Sequence, residues 1–362
     1  MNNASYNIII QFPKVKLKIS TNYRSYYDYL NLYFNKIIAQ DNNQDNCQID
    51  IQVNWDKDYS NNTLFTQLQN TPAMLQIGAN TYMSDDRIVT LRKIEKRTKV
   101  LFDFQREKNK ILLKSLLQWK GLKDIIRYRF FQKAEEEKFF TVTYHAVYYP
   151  LFWYYERFLS AHILHSSCVS YEGKAVLLCG LEGIGKTSFS LSLLEENGVS
   201  FLSDNLIFFD ANNVYPCFEL MRLHKSDTLK FLGGRFEKAN AFRTQKDFYA
   251  PASSIPQEGI KPFACIFLSF CPHMYMKEMT INEAVSNAIL LSHLPAELNN
   301  YVEYRHLYNL LDLSVNPWKS QYSALKELLQ NTKCYVVGLP KSDGLEKNSK
   351  RLKEIINSLK DN

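Results

Sequence analysis

Ala175-Val176-Leu177-Leu178-Cys179-Gly180-Leu181-Glu182-Gly183-Ile184-Gly185-Lys186-Thr187-Ser188 is the stretch on which the fold turns. Three of its glycines stand within six residues, in a chain with only 12 glycines among 362 residues. Gly180 to Thr187 has the spacing G-x-x-x-x-G-K-[ST] of a phosphate-binding loop. Composition alone would produce such a string in roughly one chain in 100 of this size, so its flanks carry the argument. The apolar run Ala175 to Cys179 predicts a strand that delivers the loop, and Ser188 to Glu196 predicts a helix that leaves it. Glycines let successive backbone N–H groups turn onto phosphate oxygens, and a helix N-terminus adds partial positive charge. In this pattern Gly180, Gly183, Ile184, Gly185, Lys186, Thr187 and Ser188 cradle the phosphates of a nucleotide. Lys186 reaches the β- and γ-phosphates, and the Thr187 hydroxyl sits on Mg²⁺. A nucleotide and Mg²⁺ are the expected ligands of the loop.

Downstream, Asn197-Gly198 stops the helix, because Gly tolerates the left-handed C-terminal position. Val199 to Ser203 predicts the next strand, which ends on Asp204. Asp204 follows Lys186 by only 18 residues, across a single helix. A carboxylate at the carboxyl end of that strand can hold Mg²⁺ or accept a proton from an attacking hydroxyl. A capping or turn aspartate is the plainer alternative. Further along, Lys261 to Phe270 reads as a buried strand and Thr280 to Glu283 as a capping box opening a helix to about Ser292. Lys333 to Gly338 reads as a late strand, and Glu346 to Leu359 as a closing amphipathic helix.

This arrangement resembles the HPr kinase/phosphorylase family and its relatives, which include serine kinases of small proteins and of lasso-peptide precursors. The resemblance covers roughly residues 144 to 340. Its anchors are Leu164-His165-Ser166, the loop Gly180 to Thr187, and Phe201-Leu202-Ser203-Asp204-Asn205. Tyr215-Pro216, Met221-Arg222-Leu223 and the strand Phe263 to Leu268 add weaker support. The resemblance implies an α/β fold: an HPr-kinase-like P-loop domain with a mixed sheet, preceded by a smaller α+β domain. It also implies ATP- and Mg²⁺-dependent phosphorylation of a hydroxyl, serine foremost, on a small protein or peptide. Asp204 matches the first acid of the family's Asp-Asp pair, used in metal binding and in activating the nucleophile. His165 matches a histidine close to the transferred phosphate. Arg222 matches a neutraliser of phosphate charge, with Arg243 a weaker candidate.

Two departures stand against that pattern. Asn205 occupies the second acid's place; it offers Mg²⁺ a neutral oxygen but cannot act as a base. The family's Gly-rich second signature is absent, and Phe218-Glu219-Leu220-Met221-Arg222-Leu223-His224 stands there instead, which argues against HPr as the substrate. The alternative reading is therefore a catalytically weak nucleotide-binding protein that docks a partner in an ATP-dependent way.

The first half resembles no family. Residues 6 to 10, Val15 to Ile19 and Cys47 to Trp55 read as strands, and Tyr26 to Ile38 as an aromatic helix, in an α+β region ending near residue 80. From Arg87 to Lys133 the chain carries 15 Lys or Arg against four Asp or Glu. This stretch reads as solvated faces of strands and of a helix from Ile111 to Phe131, or as a docking face for an acidic protein or peptide. No nucleic-acid motif accompanies it. Lys133 to Lys138 reads as a hinge, which divides the chain into 1–138 and 139–362. Tyr144 to Leu164 reads as a buried helix on a sheet, since His145, Pro150, Glu156, Arg157 and His162 would be costly in a membrane. Hydrophobic residues at 46% and charged residues at 22% fit a soluble globular protein. Seven scattered cysteines with no C-x-x-C pair suggest reduced thiols and a cytoplasmic location.

Overall fold

A computed structural model describes residues 5–40, 46–56, 74–94, 98–108, 110–118, 132–223, 232–239, 247–313 and 316–361. It is a mixed α/β structure whose sheets combine parallel and antiparallel strands. The chain divides into two compact units, one of Met1–Tyr154 with Tyr301–Val315, the other of Tyr155–Ala239, Gln245–Asn300 and Asn316–Asn362. The expected division at 138/139 falls inside a helix, Gln132–Thr143.

The first unit is built on one eight-stranded sheet. Its strands are β1 (Tyr6–Phe12), β2 (Val15–Thr21), β3 (Ile49–Asp56), β4 (Leu75–Gly78), β5 (Thr81–Met83), β6 (Arg87–Lys93), β7 (Lys99–Glu107) and β8 (Lys110–Gln118). The order is β1-β2-β3-β8-β7-β6-β5-β4, with β3 parallel to both β2 and β8. The sheet extends well past residue 80. Ile111, Leu113 and Leu117 are buried on one face of β8, so residues expected to open a helix form a strand instead. Leu112 and Leu116 on the other face hide this period of two, because they too are apolar. The remainder of the expected helix lies outside the described residues.

Helix α1 (Arg24–Tyr33) turns Tyr26, Tyr29, Leu30 and Tyr33 inward. Helix α2 (Gln132–Thr143) replaces the expected hinge; its Lys138 is buried, with Nζ 5.2 Å from the centroid of the Trp55 ring. Three arginines of the basic stretch are paired within the unit. Arg87 pairs with Asp103 at 2.7 Å, Arg106 with Asp312 at 2.6 Å, and Arg92 with Glu303. The helix expected over 144–164 is a π-turn at Tyr144–Tyr148 followed by α3 (Tyr149–Phe158). The chain breaks at Ser160 (φ 51°) and His162–His165 becomes strand β9. Those four residues are buried throughout, and an apolar strand covered on both sides looks like a buried helix in sequence.

The second unit holds a six-stranded sheet in the order β12-β10-β11-β18-β20-β19. In chain order these are β10 (Ser167–Tyr171), β11 (Lys174–Cys179), β12 (Val199–Ser203), β18 (Pro262–Cys271), β19 (Tyr275–Glu278) and β20 (Lys333–Pro340). β11, β18 and β20 run parallel. β10 is antiparallel to both β11 and β12, so β12 points the same way as β11. Alternation sorts the side chains onto two helical layers. Leu178, Ile266, Leu268 and Leu339 pack with α4 (Lys186–Leu193) and, through Leu352 and Ile356, with a C-terminal helix at Gly344–Asp361. Leu177, Cys179, Cys265 and Phe267 pack with α5 (Ile281–Ser292) and, through Leu325 and Leu329, with a helix at Pro317–Gln330. Thr280 and Glu283 form the capping box read from the sequence. Two three-stranded sheets complete the unit: β14 (Val214–Pro216), β13 (Leu206–Phe209) and β9; and β15 (Met221–Leu223), β17 (Asp247–Pro251) and β16 (Phe236–Lys238). Among the described residues no helix is long and apolar enough to cross a membrane.

Candidate functional site

The glycine-rich loop leaves β11 at Cys179 and enters α4 at Lys186, as its flanks predict. Gly185 holds φ 97° at the helix N-cap, a conformation that an L side chain resists. A Cβ at Gly180 would lie 3.0 Å from Ile184 Cγ2 and 3.1 Å from the Leu268 carbonyl oxygen, so the loop fits closely on β18. The Ile184 side chain belongs to the core, which leaves only its backbone to face a ligand. Lys186 is 7% exposed and folds across the loop, donating to the carbonyls of Gly180 at 2.8 Å and Leu181 at 3.1 Å. Burial pulls its ammonium below the usual lysine range, while Cys179, Asp204 and Glu182 pull it back. Thr187 and Ser188 follow on the first turn, both partly exposed.

Sheet order explains how Asp204 reaches the loop. Because β12 and β11 point the same way with β10 between them, their carboxyl ends share one edge of the sheet. Ser167 begins β10 at that edge, opposite Leu178, and its neighbour Cys168 lies opposite Ser203. The Ser167 hydroxyl lies 3.1 Å from Asp204 Oδ1 and also bonds the Asp204 backbone carbonyl. Thr187 stands near enough to the same carboxylate to favour its charged form. Burial raises the Asp204 carboxyl above the usual range, opposed by the Thr187 and Ser167 hydrogen bonds and by the charges of Lys186 and Arg222.

His165 ends β9, beside Leu206 of β13, and its backbone N–H donates to Ser292 Oγ at 3.0 Å. The imidazole is 6% exposed and its Nδ1 is buried without a hydrogen-bond partner. Burial and the Lys186 charge lower its pKa to about 4, against a hydrogen bond to the Asn205 backbone, so the ring is neutral at pH 7. Arg222, on β15, pairs with Glu297 at 3.3 Å and lies close enough to act on the charge of Asp204. The structure therefore brings Lys186, Thr187, Asp204, Asn205, His165 and Arg222 to one edge of one unit. Arg243 lies outside the described residues.

Two residues were not legible in the sequence. Ser167 sits one position past the quoted His165-Ser166 anchor and links the acid to the strand beside the loop. Glu219 lies inside the segment that replaces the Gly-rich signature. Its Oε2 accepts from Asn205 Nδ2 at 3.1 Å. Burial lifts its carboxyl to about 8, with Arg222 lowering it and Glu297 raising it. Thus a carboxylic acid stands beside the residue that lacks one. Its only trace in the sequence is an acid three positions before Arg222.

Among the described residues no cluster of three or more His, Cys, Asp or Glu side chains is arranged to hold a metal ion. Mg²⁺ does not demand such a cage, since one or two carboxylates with phosphate oxygens and water suffice. The close-fitting glycines, the buried lysine and the Thr187–Asp204 pair fit a Mg²⁺-nucleotide. Compared with protein families and with curated proteins, the chain matches no family model and no curated sequence.

Proposed function

We propose that this chain is an ATP- and Mg²⁺-dependent kinase of HPr-kinase-like type, phosphorylating a hydroxyl, serine foremost, on a small cytoplasmic protein or peptide. One observation carries the reading: Asp204 accepts a hydrogen bond from Ser167, which joins the acid to the loop's own sheet, where Thr187 at the end of the glycine-rich loop and Lys186 both favour its charged form. Bound Mg²⁺-ATP supplies the transferable phosphoryl group. Loop amides and Lys186 offset phosphate charge, and Thr187 with Asp204 offers oxygen ligands to Mg²⁺, joined by the Asn205 side-chain oxygen. Asp204 accepts the proton of the acceptor hydroxyl, a role suited to a carboxyl raised by burial. His165 stays neutral at pH 7 within reach of the Lys186 charge, so it adds no charge of its own beside the phosphates.

Asn205 favours the second reading, a nucleotide-dependent docking protein with weak catalysis. Glu219 sets a carboxyl beside Asn205, but burial keeps it protonated to about pH 8, so it does not restore the charge that Asn205 removes. Calorimetric titration with Mg²⁺-ATP, paired with transfer from γ-labelled ATP to serine-containing peptides, tests both. Lys186→Ala should abolish binding, whereas Asp204→Ala should bind ATP within a few fold and transfer nothing. Tight ATP binding with no transfer to any acceptor would establish the docking reading instead.

A further inference from the structure

Resting on the nucleotide reading above, the strand order points to where the nucleoside lies. Asp204 and His165 sit on the β12–β10 side of the loop, and Lys186 and Thr187 face them. A nucleoside triphosphate is a linear ligand, so with its terminal phosphate on that side its base leaves over the opposite side. There β18 and β20 continue beyond the level at which β11 becomes loop. Cys179, the last residue of β11, is level with Phe267, and the β18–β20 pairing runs on to Cys271 and Pro340. Ligands of open α/β sheets bind outside the carboxyl ends of the strands.

We propose that Phe270 is the stacking platform for the base of a bound nucleoside triphosphate. Phe270 stands two residues beyond Leu268, whose carbonyl and Cβ face Gly180, and it therefore projects from the same face of the sheet about 7 Å further along. Phe270 is 42% exposed, so a face of its side chain is open to a ligand. Leu181 adds apolar surface on the loop itself, at 58% exposure. The Lys341 ammonium lies 6.0 Å from the Phe270 centroid, at the outer limit of a cation–π contact, and its charge there complements an α-phosphate. The platform is rigid. Phe270 pairs with Leu339 across β18 and β20, and beyond it the Tyr275 ring packs on Gly338 so closely that a Cβ there would lie 2.1 Å away. Every π-face stacks, so this site selects a nucleotide over bare polyphosphate more strongly than one base over another.

The test compares Mg²⁺-ATP with Mg²⁺-tripolyphosphate by calorimetry on wild-type, Phe270→Ala and Phe270→Trp proteins. Wild type should bind ATP at least about tenfold more tightly than tripolyphosphate. Phe270→Ala should lose about tenfold in ATP affinity and nothing in tripolyphosphate affinity, from the usual worth of one base–aromatic stack. Phe270→Trp should keep ATP affinity and show fluorescence quenched by ATP but not by tripolyphosphate. Unchanged ATP affinity in Phe270→Ala, or equal losses for both ligands, would overturn the platform while leaving the loop reading intact. Wild-type protein that binds neither ligand would overturn both.

Discussion

Replacing Glu219 by Gln isolates what burial does at the candidate site. Gln keeps an oxygen to accept the Asn205 Nδ2 hydrogen bond, so the substitution removes the titration and keeps that contact. In the folded protein the Glu219 carboxyl holds its proton to about pH 8, against 4.5 for an ordinary glutamate. The folded state therefore binds more protons than the unfolded state across this window. The group's contribution is whole below pH 4.5 and is lost as pH rises toward 8. At 1.36 kcal/mol per pKa unit, the full shift is worth at most about 5 kcal/mol. Glu219 keeps some solvent contact and a partial counter-charge in Arg222, which brings the expected loss to about 2–3 kcal/mol. Urea unfolding of metal- and nucleotide-free protein at pH 5 and pH 9 measures it. Wild type should lose that amount relative to Glu219→Gln between the two pH values, and ¹³C detection of the Glu219 carboxyl should show its midpoint near 8. Parallel stability profiles for the two proteins, or a carboxyl titrating near 4.5, would refute the reasoning.

Asn205→Asp sets two carboxyls at hydrogen-bond distance, so the metal-free variant should melt several degrees below wild type at pH 9, with Mg²⁺ recovering most of the loss in a thermal scan. His145 is buried against the Tyr304 hydroxyl at 2.6 Å, and burial with the Arg92 charge lowers its pKa from 6.5 to about 3. Its neutral form therefore stabilises the protein above pH 6.5, a contribution lost as pH falls toward 3. His145→Asn should flatten the acid limb of a urea-stability profile by at most about 5 kcal/mol, whatever its offset at pH 7.

The two halves of the site differ in how far they could be read. The loop and Asp204 lie within one strand–loop–helix–strand segment, where glycine chemistry, apolar runs and a strand-terminal acid are local signals. Arg222 and His165 drew notice only through resemblance. Glu219 carried no local signal, because its partner Asn205 lies 14 residues away on another turn of the chain. The same limit explains the misread elements. Glu135 to Glu137 look like a solvated hinge, yet they belong to a helix whose Lys138 lies over Trp55, more than 80 residues earlier. The excess of Lys and Arg over 87–133 is real, but Arg92 and Arg106 find their acids beyond residue 300.

By itself the sequence determined the backbone chemistry of Gly180 to Thr187, the helix that follows it and the acid that ends the next strand. Each depends on residues close together in the chain, where conformational preference and period operate. Only the tertiary structure decided that β10 lies between β11 and β12, placing Ser167 against Asp204. It alone set Glu219 beside Asn205 and left Phe270 open past the loop. Strand order is a choice among non-local pairings of similar local cost, settled by how the two helical layers bury the two faces of the sheet.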